Sequence, residues 1–102
     1  MPEVKEIGEV IAIREMEFHF NDGRIEKAFL KIGKPYEYGE GYDWCCPYEL
    51  STENRKKVFG MFGIDSIQAL DLTIKTLRVE VEHWEKVQKG RFFFLDEEGA
   101  AV

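Results

Sequence analysis

The sequence predicts an α+β domain in which a curved antiparallel sheet of four or five strands carries one long helix across one face. Two observations lead to this prediction. The stretch from Asp65 to about Val87 repeats its apolar residues at alternating spacings of three and four, which places them on one face of a helix. The other periodic segments alternate apolar and polar residues and stop at glycine, proline or asparagine, as strands do. We therefore expect four strands, then the helix, then a fifth strand.

The helix is predicted by its first residues as well as by its apolar face. Asp65 is a natural N-cap, and Gln68 stands three residues later, where a capping-box side chain reaches back to the main chain. Gly90 is the expected terminator of the helix. The face expected to pack on the sheet comprises Ile67, Leu70, Ile74, Leu77, Val81 and Trp84, widened by Ala69, Leu72 and Val79.

The first two strands are expected at residues 7–20 and about 25–32, joined as a hairpin. Residues 10–13 are apolar at every position, so this part of the first strand should lie centrally or change phase at a bulge. A three-residue loop with Gly23 in the left-handed conformation gives one consistent apolar face and a cross-strand ion pair, whereas a two-residue turn does not. The preferred register aligns Met16 with Ala28 and Glu17 with Lys27.

Three further strands are expected at residues 43–50, 55–62 and 92–95, with a short helical segment as the alternative for 55–62. Residues 33–43 contain three glycines and are predicted to be a loop. Because Pro47 cannot donate to a ladder, it belongs at an edge or at a bulge. Alternation in this third strand turns Trp44, Cys46, Tyr48 and Leu50 toward the core and leaves Cys45 outside it.

The composition limits both the size and the partners of the protein. A chain of 102 residues makes one domain, residues 1–102, whose ends at 1–6 and 97–102 we expect to fray. The net charge of −6 disfavours nucleic acid and anionic membranes as partners and favours a basic protein. The first residues lack the pattern of a signal peptide, so we expect a cytoplasmic protein with reduced thiols, either a monomer or a homodimer.

No motif in the sequence carries a reaction. The adjacent Cys45 and Cys46 point to opposite faces of a strand, so they cannot hold a metal ion together, although a redox role for one thiol stays open. His19 and His83 have no ligand at zinc-site spacing and no nucleophile with an orienting acid. We therefore expect no cofactor, no metal site and no catalytic residue.

Two stretches together resemble a known family. These are Trp44-Cys45-Cys46-Pro47-Tyr48-Glu49-Leu50 and Gly63-Ile64-Asp65-Ser66-Ile67-Gln68-Ala69-Leu70. They are similar to a family of small bacterial domains of unknown function, whose members have a Trp-x-Cys-Pro-Tyr-like strand and a Gly-Val-Asp-x-x-Gln-Ala-Leu helix start. The resemblance implies an independent α+β domain in a bacterial cytoplasm, and it implies no activity.

The segment at residues 33–43 is the best candidate for a functional surface. Its tyrosines either fold back over the edge of the core or form a recognition loop, since tyrosine offers rigid contact area at low entropic cost. We expect a non-enzymatic protein-binding domain, for example an immunity-type inhibitor of a basic partner. The alternative is a small enzyme or ligand-binding domain with a pocket between helix and sheet. The candidate binding residues are Tyr36, Glu37, Tyr38, Glu40, Tyr42 and Asp43.

Overall fold

The computed structural model describes residues 4–39 and 42–102, and of Tyr42 the main chain only. Within these residues the chain forms one helix and an open antiparallel sheet of seven strands, so the α+β class is confirmed. The strand number exceeds the expected four or five because two short strands were not foreseen. The elements are β1 (Val10–Phe20), β2 (Ile25–Gly33), β3 (Tyr36–Gly39), β4 (Tyr42–Thr52), β5 (Lys56–Gly63), α1 (Ser66–Gln88), β6 (Gly90–Phe94) and β7 (Glu97–Glu98).

The strand β4 pairs along both of its edges. One edge carries β5 over residues 44–51. The other edge carries β2 over residues 48–52 and β3 over residues 42–45, so β3 continues β2 along the same edge. The strands therefore lie side by side in the order β5, β4, β2, β1, β6 and β7, and β3 lies end to end with β2 beside β4. Along the chain, the structure adds β3 and β7 to the expected elements.

The expected loop at residues 33–43 is wrong, because much of this segment is a strand. Tyr36 pairs with Cys45 and Glu37 pairs with Trp44 in the ladder between β3 and β4. Alternating tyrosine and glutamate suits the two faces of a strand. In the described part of residues 33–43, the glycines are the last residue of β2, Gly33, and the last residue of β3, Gly39.

Pro47 lies where this ladder is irregular. β2 pairs as far as Ile32 with Tyr48, and β3 resumes with Tyr36 opposite Cys45, so the register shifts by one residue in between. A residue without an N–H is tolerated at such an irregularity. Of the two expected positions for Pro47, a sheet edge or a bulge, the structure shows the second, an irregular point of the ladder inside the sheet.

The register of the first hairpin is confirmed. Glu17 lies opposite Lys27 and Met16 lies opposite Ala28, with a loop of residues 21–23 between the strands. Gly23 has a φ of 98°, which a glycine adopts without a steric penalty. The expected change of phase is also present, as a register shift between Val10 and Ala12. The fourth expected strand is confirmed too, since β5 is a strand and not a helical segment.

The start of α1 is capped by the two expected side chains, although Gln68 reaches back to Ile64 and not to the N-cap residue Asp65 itself. The Gln68 N–H donates to Asp65 Oδ1 at 2.7 Å, and the Gln68 side-chain oxygen accepts from the Ile64 N–H at 2.7 Å. The end of the helix differs from the expectation, because Lys89 and not Gly90 takes the left-handed conformation, with a φ of 55°. Gly90 is needed for another reason: an added Cβ would collide with His19 O and with the Phe18 ring where β6 meets β1.

The face of α1 that packs on the sheet is rotated from the predicted stripe. Ile67 is 77% exposed and Ile74 is 54% exposed, so both are wrong as core residues. The helix packs on β4, β5 and β6, and a groove lies between it and the part of the sheet formed by the first half of β1 and the second half of β2. Thr73 is buried instead and donates from Oγ1 to Cys46 O at 3.4 Å. The buried residues of α1 are Ala69, Thr73, Leu77, Val81 and Trp84.

Within residues 4–39 and 42–102, no helix has the length and apolar character needed to cross a membrane.

Candidate partner-binding surface

The face of the sheet opposite α1, called the second face below, is covered by a short N-terminal segment. Residues 4–9 precede β1 and cross this face over β4. An added Cβ on Gly60 would collide with the Val4 side chain, and one on Gly33 would collide with Ile7 O, so both strands lie directly beneath the segment. The Lys34 N–H donates to Glu9 O at 2.8 Å and fixes the end of the segment. Val4 lies within the range expected to fray.

This cover explains why the expectation for Cys45 is wrong. Cys45 faces away from the helix, as alternation requires, but it is as fully buried as Cys46 on the other face. An added Cβ on Gly60 would lie 2.9 Å from Cys45 Sγ, which places the thiol between β5 and the N-terminal segment. Burial raises the pKa of both thiols, so both are neutral at physiological pH.

A depression of about 760 Å³ lies beside the N-terminal segment. Its walls are residues 4–9 on one side and residues 34–36, at the start of β3, on the other. The charged side chains around it belong to Lys5, Glu6, Glu9 and Lys34. The depression adjoins the candidate binding residues directly, because Tyr36 is part of its lining.

Tyr36 lies at the edge of the depression, on the second face of the sheet. Its side chain is 41% exposed, while its hydroxyl interacts with the buried Cys45 thiol. Burial of the phenol, with a contribution from the hydrogen bond to Cys45, raises the pKa of Tyr36 to about 12. One side of the ring is therefore anchored to the sheet, and the rest is available for contact.

Tyr38 is more deeply embedded than Tyr36. Its ring meets the Phe62 ring edge-on, with 5.1 Å between centroids, and it lies 6.2 Å from the Tyr36 ring. An edge-on aromatic pair stabilises packing in addition to burying area. Tyr38 thus joins the hairpin formed by β3 and β4 to β5, and Tyr36 is the more exposed of the two tyrosines of β3.

The acidic candidates divide between the two faces of the sheet. Asp43 is exposed and, by its position in the ladder, lies opposite Tyr38 on the second face. Glu37 is exposed and pairs with Trp44, which places it on the helix side. Glu40 lies outside the described residues, and so does the side chain of Tyr42. Among the described candidates, the structure brings Tyr36, Tyr38 and Asp43 together and separates Glu37 from them.

The sequence did not point to the N-terminal segment or to Lys34 as part of this surface. One signal was available. Cys45 and Pro47 leave little polar character on this part of the second face of β4, and both are buried. A strand with two buried faces needs a cover on each side, and only one helix was predicted.

The histidines and cysteines do not assemble into a reactive cluster. One ring nitrogen of His19 lies 3.0 Å from Glu17 Oε1, and the ring stacks on Phe93 at 4.0 Å between centroids. His83 is exposed on α1. Among residues 4–39 and 42–102, no three histidine, cysteine or acidic side chains are grouped closely enough to hold a metal ion.

A second concave surface lies between α1 and the uncovered part of the sheet. This groove of about 320 Å³ is lined by apolar residues of β1, β2 and α1, by the chain end at Ala101 and Val102, and by one charged residue, Arg14. Arg14 Nη1 donates to Ala100 O and to Ala101 O, both at 2.9 Å, and its guanidinium lies 4.4 Å from the centre of the Phe94 ring. The arginine therefore holds the end of the chain against the sheet.

The fold and this surface define the chain as a small α+β domain. A helix covers one face of the sheet, and on the other face the hairpin of β3 and β4 exposes the ring of Tyr36. The model of a domain of unknown function, DUF6968, matches residues 12–102. The chain belongs to this family, which agrees with the resemblance found in the sequence. Neither a curated protein nor a solved structure matches the chain.

Proposed function

We propose that this protein is a non-enzymatic domain that binds a basic protein partner through the β3–β4 hairpin and the adjoining depression. An inhibitor of the immunity type, which neutralises a basic toxin, is one concrete form of this function. The observation that carries the proposal is the exposed ring of Tyr36 at the edge of a depression of about 760 Å³. Anchored aromatic residues at the rim of a concave surface are typical of binding hot spots.

Charge supports the same choice of partner. The chain has a net charge of −6, and Asp43 lies exposed on the same face as the tyrosines. Glu37, Glu40 and Tyr42 complete the proposed binding set, with Glu37 reaching a partner that wraps around the edge of the hairpin. An acidic surface accelerates encounter with a basic protein, and the aromatic contacts then set the lifetime of the complex.

The experiment is affinity capture followed by titration of the identified partner with matched variants. Asp43→Lys reverses a charge on the hairpin, and Glu82→Lys reverses an exposed charge on α1, with the same change in net charge. We expect Asp43→Lys and Tyr36→Ala each to weaken binding by about tenfold or more, and Glu82→Lys to have a much smaller effect. Equal loss of affinity in Asp43→Lys and Glu82→Lys would contradict a local binding surface. It would indicate that charge contributes only through long-range electrostatic attraction.

The alternative, a small enzyme or ligand-binding domain, is supported by the groove between α1 and the sheet. Its volume of about 320 Å³ is at the lower limit of small-molecule pockets. Arg14 is the single charged residue of its lining, and that guanidinium already binds two main-chain carbonyls. A pocket for a specific small molecule needs several convergent polar groups, so the groove favours this alternative less than the hairpin favours a protein partner.

A further inference from the structure

The strand β5 lies at one margin of the sheet, where one of its edges faces β4 and the other faces outward. Its ladder with β4 runs from Lys56, opposite Ser51, to Gly63, opposite Trp44, and the register is regular over all eight pairs. Within residues 4–39 and 42–102, β4 is the only strand that pairs with β5. The second edge, called the outer edge below, therefore has room for a further strand.

Alternate residues of β5 direct their main-chain groups to the outer edge. In an antiparallel ladder the N–H and C=O of one residue point to one side, and those of the next residue point to the other. The Thr52 N–H donates to Arg55 O at 2.8 Å, so the main-chain groups of Arg55 are directed at β4. Counted along the regular ladder, those of Lys56, Val58 and Gly60 are directed outward.

Two observations agree with this orientation. Pro47 has no N–H and lies opposite Gly60, which is consistent with a pair that exchanges no hydrogen bond across the ladder between β4 and β5. In the described chain, the main-chain groups of Lys56, Val58 and Gly60 also form no main-chain hydrogen bond outside the sheet. These groups are thus available to a strand that is added at the outer edge.

Three consecutive basic residues mark the beginning of the outer edge. Arg55, Lys56 and Lys57 are exposed, and none of them forms an ion pair with another described residue. Because successive side chains of a strand alternate, Lys56 borders the edge on the second face and Lys57 borders it on the helix face. The chain as a whole has a net charge of −6, so this end of β5 is a local reversal of sign.

A cavity of about 190 Å³ adjoins the three bases, between the start of β5 and the last turns of α1. The bases line one side of it, and α1 contributes His83, Trp84, Val87 and Gln88. No acidic residue belongs to this described lining. The volume is below the roughly 300 Å³ at which small-molecule pockets begin, so the cavity suits a single side chain. Its charge selects a carboxylate.

We propose that the outer edge of β5 binds an extended acidic segment of another protein as an additional antiparallel strand. In this sense of pairing, which all ladders of the sheet share, the carboxyl end of the segment lies beside the start of β5. Consecutive acidic residues at that end would meet bases on both faces, and one carboxylate would enter the cavity. Main-chain bonds then supply affinity, and side-chain contacts supply specificity.

The distribution of charge along β5 distinguishes a binding edge from a protected one. Lysine, proline and bulges commonly protect edge strands from pairing. Here the lysines stand at one end, and residues 58–63 contain neither a charged residue nor proline and have a regular register. At physiological ionic strength charges are screened beyond about 8 Å, so a bound segment senses these bases more than the net charge of the chain. The outer edge is distinct from the surface proposed above for a basic partner.

The first test measures charge selection with a defined peptide. The peptide has six alternating threonine and valine residues followed by three glutamates, and its matched control ends in three lysines. Fluorescence anisotropy should show saturable binding of the acidic peptide at concentrations up to about 1 mM and no binding of the control. Lys56→Glu should weaken binding by about fivefold or more. Lys75→Glu, an exposed position on α1 with the same change in net charge, should have a much smaller effect. No binding of the acidic peptide, equal binding of both peptides, or equal effects of the two variants would overturn the proposal.

The second test addresses main-chain pairing. N-methylation of alternate residues of the acidic peptide should abolish binding in one of the two frames and not in the other, because only one set of N–H groups faces β5. Val58→Pro removes an outward N–H and should also abolish binding, whereas Val58→Ala should retain it, with thermal unfolding as the check on folding. Equal effects of the two N-methylated frames, which are measured on the unaltered protein, would overturn the proposal. A wild-type dimer in sedimentation equilibrium that Val58→Pro dissociates would overturn it too, because the edge would then belong to a second copy of this chain.

Discussion

The two faces of the sheet are built on the same strand, β4, but they are closed in different ways. On the helix face Tyr48 is buried under α1, stacks on Phe59 at 5.1 Å between centroids, and interacts with Glu80. On the second face Cys45 and Pro47 are buried under six residues of irregular chain. One face is thus held by a long helix, and the other by a short segment whose main chain is anchored at Lys34.

We expect the helix face to provide most of the stability and the second face to provide the proposed binding surface. The helix face buries most of the large side chains in one cluster, which includes Phe18, Tyr48, Leu50, Trp84 and Phe92. The second face combines a thin cover, a depression and an exposed aromatic ring. Regions with few buried apolar contacts open most readily, so we expect the second face to be the one that adapts to the proposed partner.

The largest effect is expected for truncation on the helix face. Leu50 is almost fully buried in β4, and Leu50→Ala removes a large side chain from a close-packed cluster. We expect the free energy of unfolding to fall by about 3 kcal/mol, measured by urea denaturation. If Leu50→Ala lowered the free energy of unfolding by less than Gly60→Ala does, the claim that most of the stability resides on the helix face would be contradicted.

A smaller effect is expected for displacement of the N-terminal segment. An added Cβ at Gly60 would lie 2.5 Å from Val4 Cγ2 and 2.9 Å from Cys45 Sγ, so Gly60→Ala must push the segment outward. We expect a loss of about 2 kcal/mol. The more specific readout is alkylation of the native protein, which should accelerate at Cys45 and not at Cys46. Single Cys45→Ser and Cys46→Ser backgrounds assign the rates, and equal acceleration would indicate general loosening.

Loss of the helix cap should lower the free energy of unfolding by less than the substitution on either face of the sheet. Asp65→Ala removes the acceptor of the Gln68 N–H at 2.7 Å. The expected cost is about 1 kcal/mol in the free energy of unfolding, because one end-of-helix donor loses its partner. Asp65→Asn, which keeps an acceptor oxygen, is the matched control and should lose only a fraction of this. An unchanged urea midpoint for Asp65→Ala would refute the capping role.

The smallest effect is expected from the titration of Tyr36. Its pKa of about 12 in the folded chain exceeds the ordinary value of 10.0, because the phenol is partly desolvated against the sheet and is hydrogen-bonded to Cys45. A raised pKa adds stability that is complete below about pH 10 and is lost as the pH rises through 10 to about 12. Tyr36→Phe should make alkaline unfolding less steep over this interval, as followed by circular dichroism. An identical slope in both proteins would show that folding does not raise the pKa of Tyr36.

Local patterns predicted the hairpin and the helix start correctly because their determinants lie within a few residues. The pairing of Glu17 with Lys27 followed from loop length and charge, and the capping box followed from two side chains three residues apart. Both are short-range constraints that a sequence states directly.

The errors arose where a residue's environment depends on a distant segment. The glycines around residues 33–43 suggested a loop, although the alternation of Tyr36, Glu37 and Tyr38 fitted a strand that β4 could pair with. Ile74 fitted an ideal apolar stripe, but α1 covers only part of the sheet and leaves this residue at the groove. The expectation that Cys45 is exposed was wrong because no residue close to it in the sequence indicates that residues 4–9 lie over it.

The same limit applies to the candidate surface. The tyrosines were identifiable by composition, and three of the candidates do lie together. The depression beside them was not predictable, since it forms between residues 4–9 and residues 34–36, which are far apart in the chain.

The most direct test of the second face as the binding face is site-specific photocrosslinking. A photoreactive phenylalanine analogue replaces Tyr36 in one variant and Val79, 62% exposed on α1, in the other. The account predicts that position 36 cross-links to one basic protein, identified by mass spectrometry, and that position 79 yields no adduct with it. Cross-linking of that protein from position 79 with equal or greater yield would contradict the account, because it would place the partner on the helix side of the molecule.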